Sequence, residues 1–412
     1  MVPLKQYRRR RRPPTEIKDL TPDILFEIFA RVPMKYLLQL TTVCKSYKAL
    51  IRGHEFRRFH HEKNTMKNAP DYLLVRNRIG GQQRGFSIYS ARTFTYDENS
   101  GLPRSIDIPM QMQLHDLPLY EYGFTVYGSC NGLLCISLFS LDLDSPLYLY
   151  NPSLRKFKQL PRSEFELPQG TSITSQIATG LVTLGFGFHS GKDDYQVVRF
   201  VHPNTSFFHA EVYSLKLNSW TPVENVVDPR EVDAWFMEGC TCLDGVIYWH
   251  LMQRPNMSLI SFNMHTSVLG KRTLPYDQLQ PVMRPICLQV LHPECLRALH
   301  ENSVQVSKKS LCLFQVIQRG GHHYCDIWVL KEDTEEKIGR IHLPPHASIA
   351  WPLGFSTNGN VAYMVITENQ DLPLLVQYVP LLNRIQTVIT QISHRPWYVD
   401  AYRESLVLLD EI

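Results

Sequence analysis

A few cysteine and histidine residues stand at spacings that catalysis or metal binding could use. Cys130 lies in the sequence GSCNG, which partly matches the nucleophile segment of cysteine proteases. That segment also needs a cysteine before and a tryptophan after these residues, where this chain has Tyr127 and Asn131. We therefore predict a turn that enters a buried strand, with Asn131 and Gly132 supplying backbone freedom, and we assign no catalytic residue.

Metal binding would need cysteines or histidines in paired spacing. Cys240 and Cys242 form one such pair, but no second pair follows at zinc spacing. His342 and His346 are separated by two prolines, which prevent the helix that this histidine spacing requires. We therefore expect no metal site and no cofactor.

The sequence GFGF around Gly185 and Gly187 is also incomplete as a nucleotide-binding loop, because the third glycine and the following helix are missing. We expect a strand here, in which small residues let a neighbouring backbone or an aromatic ring come close.

The composition is that of an ordinary water-soluble protein, with 44% hydrophobic and 20% charged residues in a chain of 412. No run of about 18 apolar residues is present, so we expect no membrane span. No apolar run follows the basic first residues, so no secretory signal is expected. Nine cysteines, an odd number without framework spacing, predict reduced thiols in the nucleus or the cytoplasm.

The net charge of +4 is concentrated at the start of the chain. Residues 1–12 include Lys5 and five arginines and no acid, and the remainder has 37 basic and 39 acidic residues. Nucleic acid is therefore an unlikely partner for the body of the protein. The arginine run is either a nuclear-import signal or weak polyanion contact, or a disordered basic tail without a special role. The run consists of Arg8, Arg9, Arg10, Arg11 and Arg12.

Residues 16–62 predict three short helices. Thr21 and Pro22 are suited to the cap and the first position of the first helix, and Pro33 is placed to end it. Gly53 is placed to end the third helix as a left-handed C-cap. About forty residues cannot bury this much apolar surface among themselves, which indicates a partner. The alternative is a helical cap that packs on its own domain.

This segment resembles an F-box in the order and spacing of several short motifs: Leu20-Thr21-Pro22-Asp23, Glu27-Ile28, Val32-Pro33, Leu37-Leu38 and Val43-Cys44-Lys45. Thr21 and Tyr47 stand where the family usually has proline and tryptophan. The resemblance implies docking onto a Skp-type adaptor and, through it, a cullin ligase. It implies these adaptor-binding residues: Leu20, Pro22, Leu25, Ile28, Phe29, Pro33, Leu37, Leu38, Val43, Cys44 and Tyr47.

The rest of the chain predicts an all-β domain of loosely repeated units. A short strand with a central aromatic residue recurs at intervals of 49 to 66 residues. These intervals are close to the period of kelch-type blades, so we expect a six-bladed kelch-like β-propeller closed by a strand from PWYVDAYRESLVLL. A stack of sandwich domains is the alternative. The six aromatics are Tyr89, Tyr150, Tyr213, Phe262, Trp328 and Tyr378.

A second resemblance covers most of this region. It is similar to the plant F-box-associated interaction domain in an ordered series of motifs: Gly128–Cys135, Asn151-Pro152 with Leu160-Pro161, Gly185–Phe188, Asp193–Val198, Val212–Ser214, Asp244–Trp249 and Asp326–Trp328. The resemblance implies a substrate receptor that binds a target protein and promotes its ubiquitination and degradation.

We therefore predict a non-catalytic adaptor with four parts: a disordered basic tail (1–15), the F-box (16–62), a connector (63–80) and a propeller-like substrate-recognition domain (81–412). Two alternatives are a Skp-bound protein that works outside a ligase and a propeller hydrolase with carboxylates around a central channel. Target-binding loops are predicted at 162–178, 201–209, 226–237 and 251–257. Composition favours four residues of the third loop: Asp228, Arg230, Trp235 and Phe236.

Overall fold

The computed structural model describes residues 20–32, 34–66, 72–79, 83–90, 105–109, 124–138, 145–166, 182–204, 207–224, 235–236, 240–252, 257–274, 286–291, 310–319, 322–332, 334–343, 347–355, 361–367, 374–379, 384–389, 399–402 and 404–407. The chain divides into a helical unit, Met1–Ala69, and a strand unit, Pro70–Ile412. The predicted connector 63–80 thus contains the boundary, the end of a helix and a complete strand. No helix among the described residues is long and apolar enough to span a membrane.

The helical unit contains four helices: α1 (Pro22–Phe29), α2 (Met34–Leu40), α3 (Lys45–Arg52) and α4 (His54–Met66). Pro22 occupies the start of α1 and Thr21 precedes it in an extended conformation, as predicted. The Thr21 carbonyl accepts a hydrogen bond from the Leu25 N–H at 3.0 Å, while its side chain makes no capping bond. Pro33 lies outside the described residues.

The prediction of three helices was wrong because α4 follows α3 almost at once. Gly53 separates them with φ −57° and ψ 136°, which is not the left-handed cap expected from the sequence. Its N–H still bonds the Ala49 carbonyl at 3.0 Å, so α3 ends there without a left-handed residue. Phe56 and His60, one turn apart on α4, are both buried and anchor this helix in the unit.

The core of the helical unit is small and largely aromatic. Phe26 of α1 contacts Phe56 and Phe59 of α4, with ring centroids 5.2 and 5.3 Å apart. Phe29 packs edge-on against Tyr47 of α3 at 4.9 Å. These ring contacts join the first helix to the last two. The buried apolar side chains are Phe29, Ala30, Met34, Leu37, Ile51 and Phe56.

The described strands form six antiparallel sheets, which we number in chain order. Sheet 1 has the order β25 (Val399–Tyr402), β1 (Tyr72–Ile79), β2 (Gln83–Ser90), β3 (Ser105–Pro109). Sheet 2 has the order β4 (Phe124–Cys130), β5 (Leu133–Leu138), β6 (Leu147–Asn151), β7 (Lys156–Gln159). Sheet 3 has the order β8 (Val182–His189), β9 (Asp194–Asn204), β10 (Phe207–Ser214), β11 (Ser219–Pro222).

Sheet 4 begins with β12 (Trp235–Phe236) and β13 (Thr241–Leu243), which both pair with β14 (Val246–Met252), followed by β15 (Met257–Asn263) and β16 (Val268–Leu274). Sheet 5 has the order β17 (Ile286–Leu291), β18 (Ser310–Arg319), β19 (His322–Leu330), β20 (Glu335–His342). Sheet 6 has the order β21 (Ala347–Phe355), β22 (Val361–Thr367), β23 (Leu374–Val379), β24 (Arg384–Ile389).

The six recurring aromatic residues all fall on the third strand of their sheets, so each repeat unit predicted from the sequence corresponds to one sheet. The residue after the aromatic also repeats its role in three sheets. Its side-chain oxygen accepts a hydrogen bond from the N–H three positions later and so caps the turn to the fourth strand. The capping pairs are Asn151 with Leu154 (3.1 Å), Ser214 with Leu217 (3.0 Å) and Asn263 with Thr266 (3.3 Å).

Two-residue turns join the first and second strands in sheets 2 and 4. Asn131 and Gly132 have φ of 49° and 80°, which confirms the turn predicted in GSCNG. Asp244 and Gly245 repeat this geometry at 48° and 81°. Positive φ at both positions is typical of the hairpin turn that matches the twist of the flanking strands.

Consecutive sheets pack face to face through apolar layers. Leu149 of sheet 2 and Tyr213 of sheet 3 share one buried cluster, and Phe200 of sheet 3 and Trp249 of sheet 4 share the next. Gly185 confirms the expected close approach, because an added Cβ would lie 2.2 Å from Trp249 Cζ2. The Trp249 indole Nε1–H donates to the Leu184 carbonyl at 2.8 Å, so the ring is held in a fixed orientation against the glycine.

The C-terminal strand belongs to the first sheet. β25 pairs antiparallel with β1, with Tyr402 opposite Tyr72 and Val399 opposite Val75. Residues more than 300 positions apart in sequence therefore complete one sheet. This is the strand that the sequence predicted within PWYVDAYRESLVLL.

We predict that Gly185→Ala destabilises the strand unit by roughly 1–3 kcal/mol, because the added methyl group overlaps a buried indole held by a hydrogen bond. Denaturant unfolding followed by tryptophan fluorescence measures this change. Gly191→Ala is the matched control, because Gly191 is exposed and its added Cβ would lie 3.3 Å or more from its nearest neighbours, the imidazole rings of His189 and His265. Equal effects of the two substitutions would contradict the packing role of Gly185.

Candidate adaptor-binding and target-binding surfaces

The helical unit leaves large apolar side chains exposed. Ile24 and Ile28, one turn apart on α1, are 47% and 43% exposed. Tyr36 on α2 is 53% exposed and Val43, in the turn before α3, is 64% exposed. A unit of this size buries only part of its apolar surface, and exposed residues of this kind are typical of a protein interface. We call these four residues the apolar face of the helical unit.

The predicted adaptor-binding residues separate into groups that differ in exposure. Four are exposed: Pro22, Ile28, Val43 and Cys44. Four are partly buried: Leu20, Leu25, Leu38 and Tyr47. Two, Phe29 and Leu37, are 3% and 0% exposed, so these side chains hold the helices together. The predicted contact of these two residues with an adaptor stays a prediction, and Pro33 lies outside the described residues.

Ile24 and Tyr36 are exposed apolar residues that the predicted adaptor-binding set did not include. Ile24 belongs to the same apolar stripe as Ile28, so its place on this face could have been predicted from the sequence. Tyr47, where the resembled family usually has tryptophan, is partly buried against Phe29 and therefore contributes to the fold of the unit.

Cys44 is the exposed residue before α3 and lies next to Val43. Its Sγ is 3.1 Å from Ser46 Oγ, and this hydrogen bond lowers the pKa of the Cys44 thiol.

The predicted target-binding residues lie partly in a strand. Trp235 and Phe236 form β12 and pair with Met252 and Leu251 at the end of β14. The loop expected at 226–237 therefore ends in a short strand, because the backbone of these two residues extends the edge of sheet 4 beyond β13. Asp228 and Arg230 lie outside the described residues, as do all five arginines of the basic run.

Strands also replace much of two other predicted loops. β9 extends to Asn204 and β10 starts at Phe207, so most of 201–209 is a hairpin. β14 and β15 likewise occupy both ends of 251–257. The sequence missed these extensions because polar and proline residues near strand ends were read as loop signals.

A buried ion pair anchors the start of the first predicted loop, 162–178. Arg199 of β9 forms an ion pair with Glu211 of β10, and both side chains are less than 10% exposed. Ser163 Oγ donates to Glu211 Oε2 at 2.6 Å, and Phe165 stacks on His209 at 3.9 Å. Residues 161–166 are therefore held against sheet 3. Burial alone raises the pKa of Glu211, but hydrogen bonds from His209 and Ser163 and the positive charge of Arg199 outweigh it and lower the pKa.

Sheet 5 has a similar buried ion pair at the equivalent position. Asp326, like Glu211, stands two residues before the recurring aromatic of its sheet and is 4% exposed. Lys337 Nζ and Arg340 Nε donate to its two carboxylate oxygens, each at 2.6 Å. Burial raises the pKa of Asp326, but these two hydrogen bonds and the cationic charges outweigh it and lower the pKa. An acid two residues before the repeat aromatic was a readable signal that sequence reasoning missed.

Two thiols of the strand unit, Cys135 and Cys240, are poor candidates for nucleophiles. Cys240 Sγ accepts a hydrogen bond from the Phe186 N–H at 3.3 Å, and burial raises the pKa of Cys240 to about 12. Burial also raises the pKa of Cys135. Both are therefore protonated at neutral pH, whereas a reactive cysteine requires a lowered pKa and access. Among the described residues there is no group of three or more histidine, cysteine or acidic side chains placed to hold a metal ion.

His250 is an isolated polar side chain inside the strand unit. It lies on β14 opposite Leu259 of β15 and is 7% exposed. Among the described residues its Nε2 has no hydrogen-bond partner. Burial lowers its pKa from 6.5 to about 4, so His250 is neutral when the protein is folded at neutral pH.

The chain thus combines a helical unit with an exposed apolar face and an all-β unit of repeated antiparallel sheets. Comparison with protein families assigns both units. The F-box domain model matches residues 17–59, and the F-box associated beta propeller domain model matches residues 83–339. Because the second match covers more than half of the chain, the chain belongs to the family with an F-box associated beta propeller domain.

Relatives from Arabidopsis thaliana are named as F-box proteins. F-box protein CPR1 is 28% identical over 78% of this chain and 73% of that protein. An F-box/kelch-repeat protein is 26% identical over 49% of this chain and 50% of its own length, so the chain spans about half of that relative. Among solved structures, TolB from Acinetobacter baumannii has a TM-score of 0.45 and 10% identity, covering 84% of this chain and 73% of TolB. A likeness at that level carries no argument.

We predict that His250 makes the strand unit lose stability as the pH falls from 6.5 to about 4. Below pH 6.5 the unfolded chain binds a proton at this histidine, while the folded protein does not until about pH 4. The free energy of unfolding therefore falls by up to about 3 kcal/mol over this range. His250→Leu should remove that part of the pH dependence, whereas replacement of the exposed His322 by leucine should not. Denaturant unfolding at several pH values decides between these outcomes.

Proposed function

We propose that this chain is the substrate-recognition subunit of an SCF-type ubiquitin ligase complex. The helical F-box unit binds a Skp-type adaptor and, through it, a cullin ligase. The strand unit binds a target protein, which is then ubiquitinated and degraded. The observation that carries this proposal is the apolar face on a small helical unit that is distinct from the large all-β unit.

The chain contributes position and not catalysis in this proposal. Holding a target beside the ligase replaces a bimolecular encounter by an intramolecular one and raises the effective concentration of the reacting groups. Ubiquitin transfer is carried out by other subunits, so no nucleophile is required here. The raised pKa values of Cys135 and Cys240 are consistent with that division of labour.

The strand unit is proposed to be a six-bladed kelch-like propeller with one blade per sheet. The first strands of neighbouring sheets contact one another in sequence: β4 with β8, β8 with β13, β13 with β17, β17 with β21, and β21 with β25. Because β25 belongs to sheet 1, this series of contacts returns to the sheet at which the unit begins. Radial stacking around such first strands is the arrangement of a propeller.

The target-binding surface is proposed to include Asp228, Arg230, Trp235 and Phe236. In a propeller, the start of a first strand and the connection from second to third strand lie at the same end of the blade. Trp235 pairs with Met252, the last residue of β14, and so marks that end in sheet 4. The anchored segment 161–166 begins the connection from β7, the last strand of sheet 2, to β8, the first strand of sheet 3. In a propeller this connection lies at the same end as Trp235. The chain is proposed to work in the nucleus, the cytoplasm or both, with Arg8–Arg12 as an import signal.

We predict that Ile28→Asp combined with Val43→Asp reduces recovery of a Skp-type adaptor at least tenfold, a loss of about 1.4 kcal/mol or more. Both side chains are exposed, so the helices remain folded, but carboxylates buried in an apolar interface would lack partners. Co-purification and far-UV circular dichroism measure the two effects. Leu217→Asp is the matched control, because Leu217 is 71% exposed on the strand unit.

Leu37→Asp distinguishes loss of adaptor binding caused by unfolding from loss caused by a changed interface. Leu37 is fully buried, so a charge there unfolds the helical unit and lowers adaptor recovery through loss of helix. Recovery of the adaptor by the Ile28/Val43 double variant at the level of the unsubstituted protein would overturn the assignment of the apolar face. Recovery of the adaptor without a cullin from the unsubstituted protein would instead favour a Skp-bound factor that works outside a ligase.

A separate prediction concerns closure of the proposed ring. Deletion of residues 396–412 removes β25 and leaves the edge of β1 unpaired. Exposed sheet edges pair with other chains, so we expect aggregation and a melting temperature lowered by several degrees. Deletion of residues 1–15 is the control for shortening the chain. A soluble C-terminal truncation with an unchanged melting temperature would contradict closure.

A further inference from the structure

The turn after β6 is hydrogen bonded to the C-terminal segment of the chain. Asn151 is fully buried, and its Nδ2 donates to the carbonyls of Ser405 and Val407, each at 2.8 Å. Its Oδ1 meanwhile accepts the Leu154 N–H at 3.1 Å. Both polar atoms of this amide are therefore hydrogen bonded. The nitrogen donates two bonds to a distant segment, and the oxygen accepts one bond within its own turn.

A second contact lies two residues further along the same turn. The Ser153 N–H donates to the Tyr402 hydroxyl at 3.0 Å, and Ser153 Oγ is also hydrogen bonded to that hydroxyl. Tyr402 is the last residue of β25 and is 3% exposed. A buried phenol needs a partner for its polar end, and the Ser153 backbone and side chain supply it.

The segment bound by this turn has its own local structure. Ser405 Oγ accepts the Val407 N–H at 3.2 Å, which turns the backbone so that the two carbonyls meet the Asn151 amide. Leu406 is 3% exposed, and Val407 packs on the apolar cluster between sheets 2 and 3. The turn after β6 therefore contacts this segment through two backbone carbonyls and one phenolic hydroxyl, and the segment also buries two apolar side chains.

We propose that Asn151 and Ser153 form a peptide-binding clasp whose occupant is the chain's own segment 402–407. The clasp joins a strand of sheet 1 to a turn of sheet 2, so occupancy fastens the end of the chain after β25 has paired with β1. Release of the segment frees β25 to leave the sheet.

Asn263 shows which part of this arrangement is special to the clasp. It occupies the position equivalent to Asn151 in sheet 4, directly after the recurring aromatic, and its Oδ1 caps the turn through the His265 and Thr266 N–H groups. An aspartate at either position keeps the acceptor for the turn. At Asn151 it also removes the two donor bonds and places a carboxylate oxygen against two carbonyls.

Hydrogen exchange on the full chain tests the clasp with this pair of variants. Asn151→Asp should increase amide exchange in residues 402–407 at least about tenfold and leave the strands of sheets 4 and 5 unchanged. Asn263→Asp should leave residues 402–407 as protected as in the unsubstituted protein. Equal protection of the segment in all three proteins would overturn the proposal.

Tyr402→Phe keeps the test decisive if Asn151→Asp fails to fold. It removes a single hydroxyl, so the ring stays buried while the two bonds from Ser153 are lost, and exchange in 402–407 should again rise. Unchanged exchange in this variant would overturn a role for Ser153. Size-exclusion chromatography with light scattering identifies the alternative occupant: a protected segment in a dimer would show that a second copy fills the clasp, and would overturn the occupant assigned here.

Discussion

Face-to-face contact between consecutive sheets is the interaction on which the strand unit depends. A sheet with apolar residues on both faces cannot stay in water alone, and sheets 2 to 5 cover one another. Tyr213 fills the layer between sheets 2 and 3, Trp249 the layer between sheets 3 and 4, and Leu313 the layer between sheets 4 and 5. The buried ion pair of Arg199 and Glu211 joins neighbouring strands within sheet 3, where Arg199 lies opposite Glu211.

The repeat could be predicted from the sequence because its signals are local. An aromatic on the third strand, an asparagine or serine after it, and glycine-containing turns lie within a few residues of one another and recur in sheet after sheet. The predicted ends of elements were less accurate. Gly53 looked like a helix cap by residue type, but its conformation is set by α4 packing through Phe56. β9 and β10 continue beyond the predicted loop boundary for the same reason, since pairing with a neighbour overrides weak local signals.

The apolar stripe of the first helix could be predicted from the sequence, but which of its residues are exposed could not. Ile28 and Phe29 are neighbours in the same apolar run of α1, yet one is 43% exposed and the other 3%. Which of them faces outward is decided by α3 and α4, through the contact of Phe29 with Tyr47 and of Phe26 with Phe56. Family motifs combine residues that build the module with residues that contact its partner, because both are needed for the same function. The exposure of a side chain distinguishes residues that build the module from residues that can contact a partner. Exposure depends on how the helices pack, which the sequence alone does not show.

Closure of the first sheet is the least local feature of the chain. Asn151 and Asn263 follow the same aromatic position and cap the same turn, so nothing in their immediate sequence distinguishes them. Asn151 differs because a segment 254 residues later in the chain lies against it. β25 pairs with β1 over only four residues, and a strand of that length at the end of a chain frays easily. The bonds from Asn151 and Ser153 extend the attachment beyond the strand, so the stability of sheet 1 depends on a turn in sheet 2.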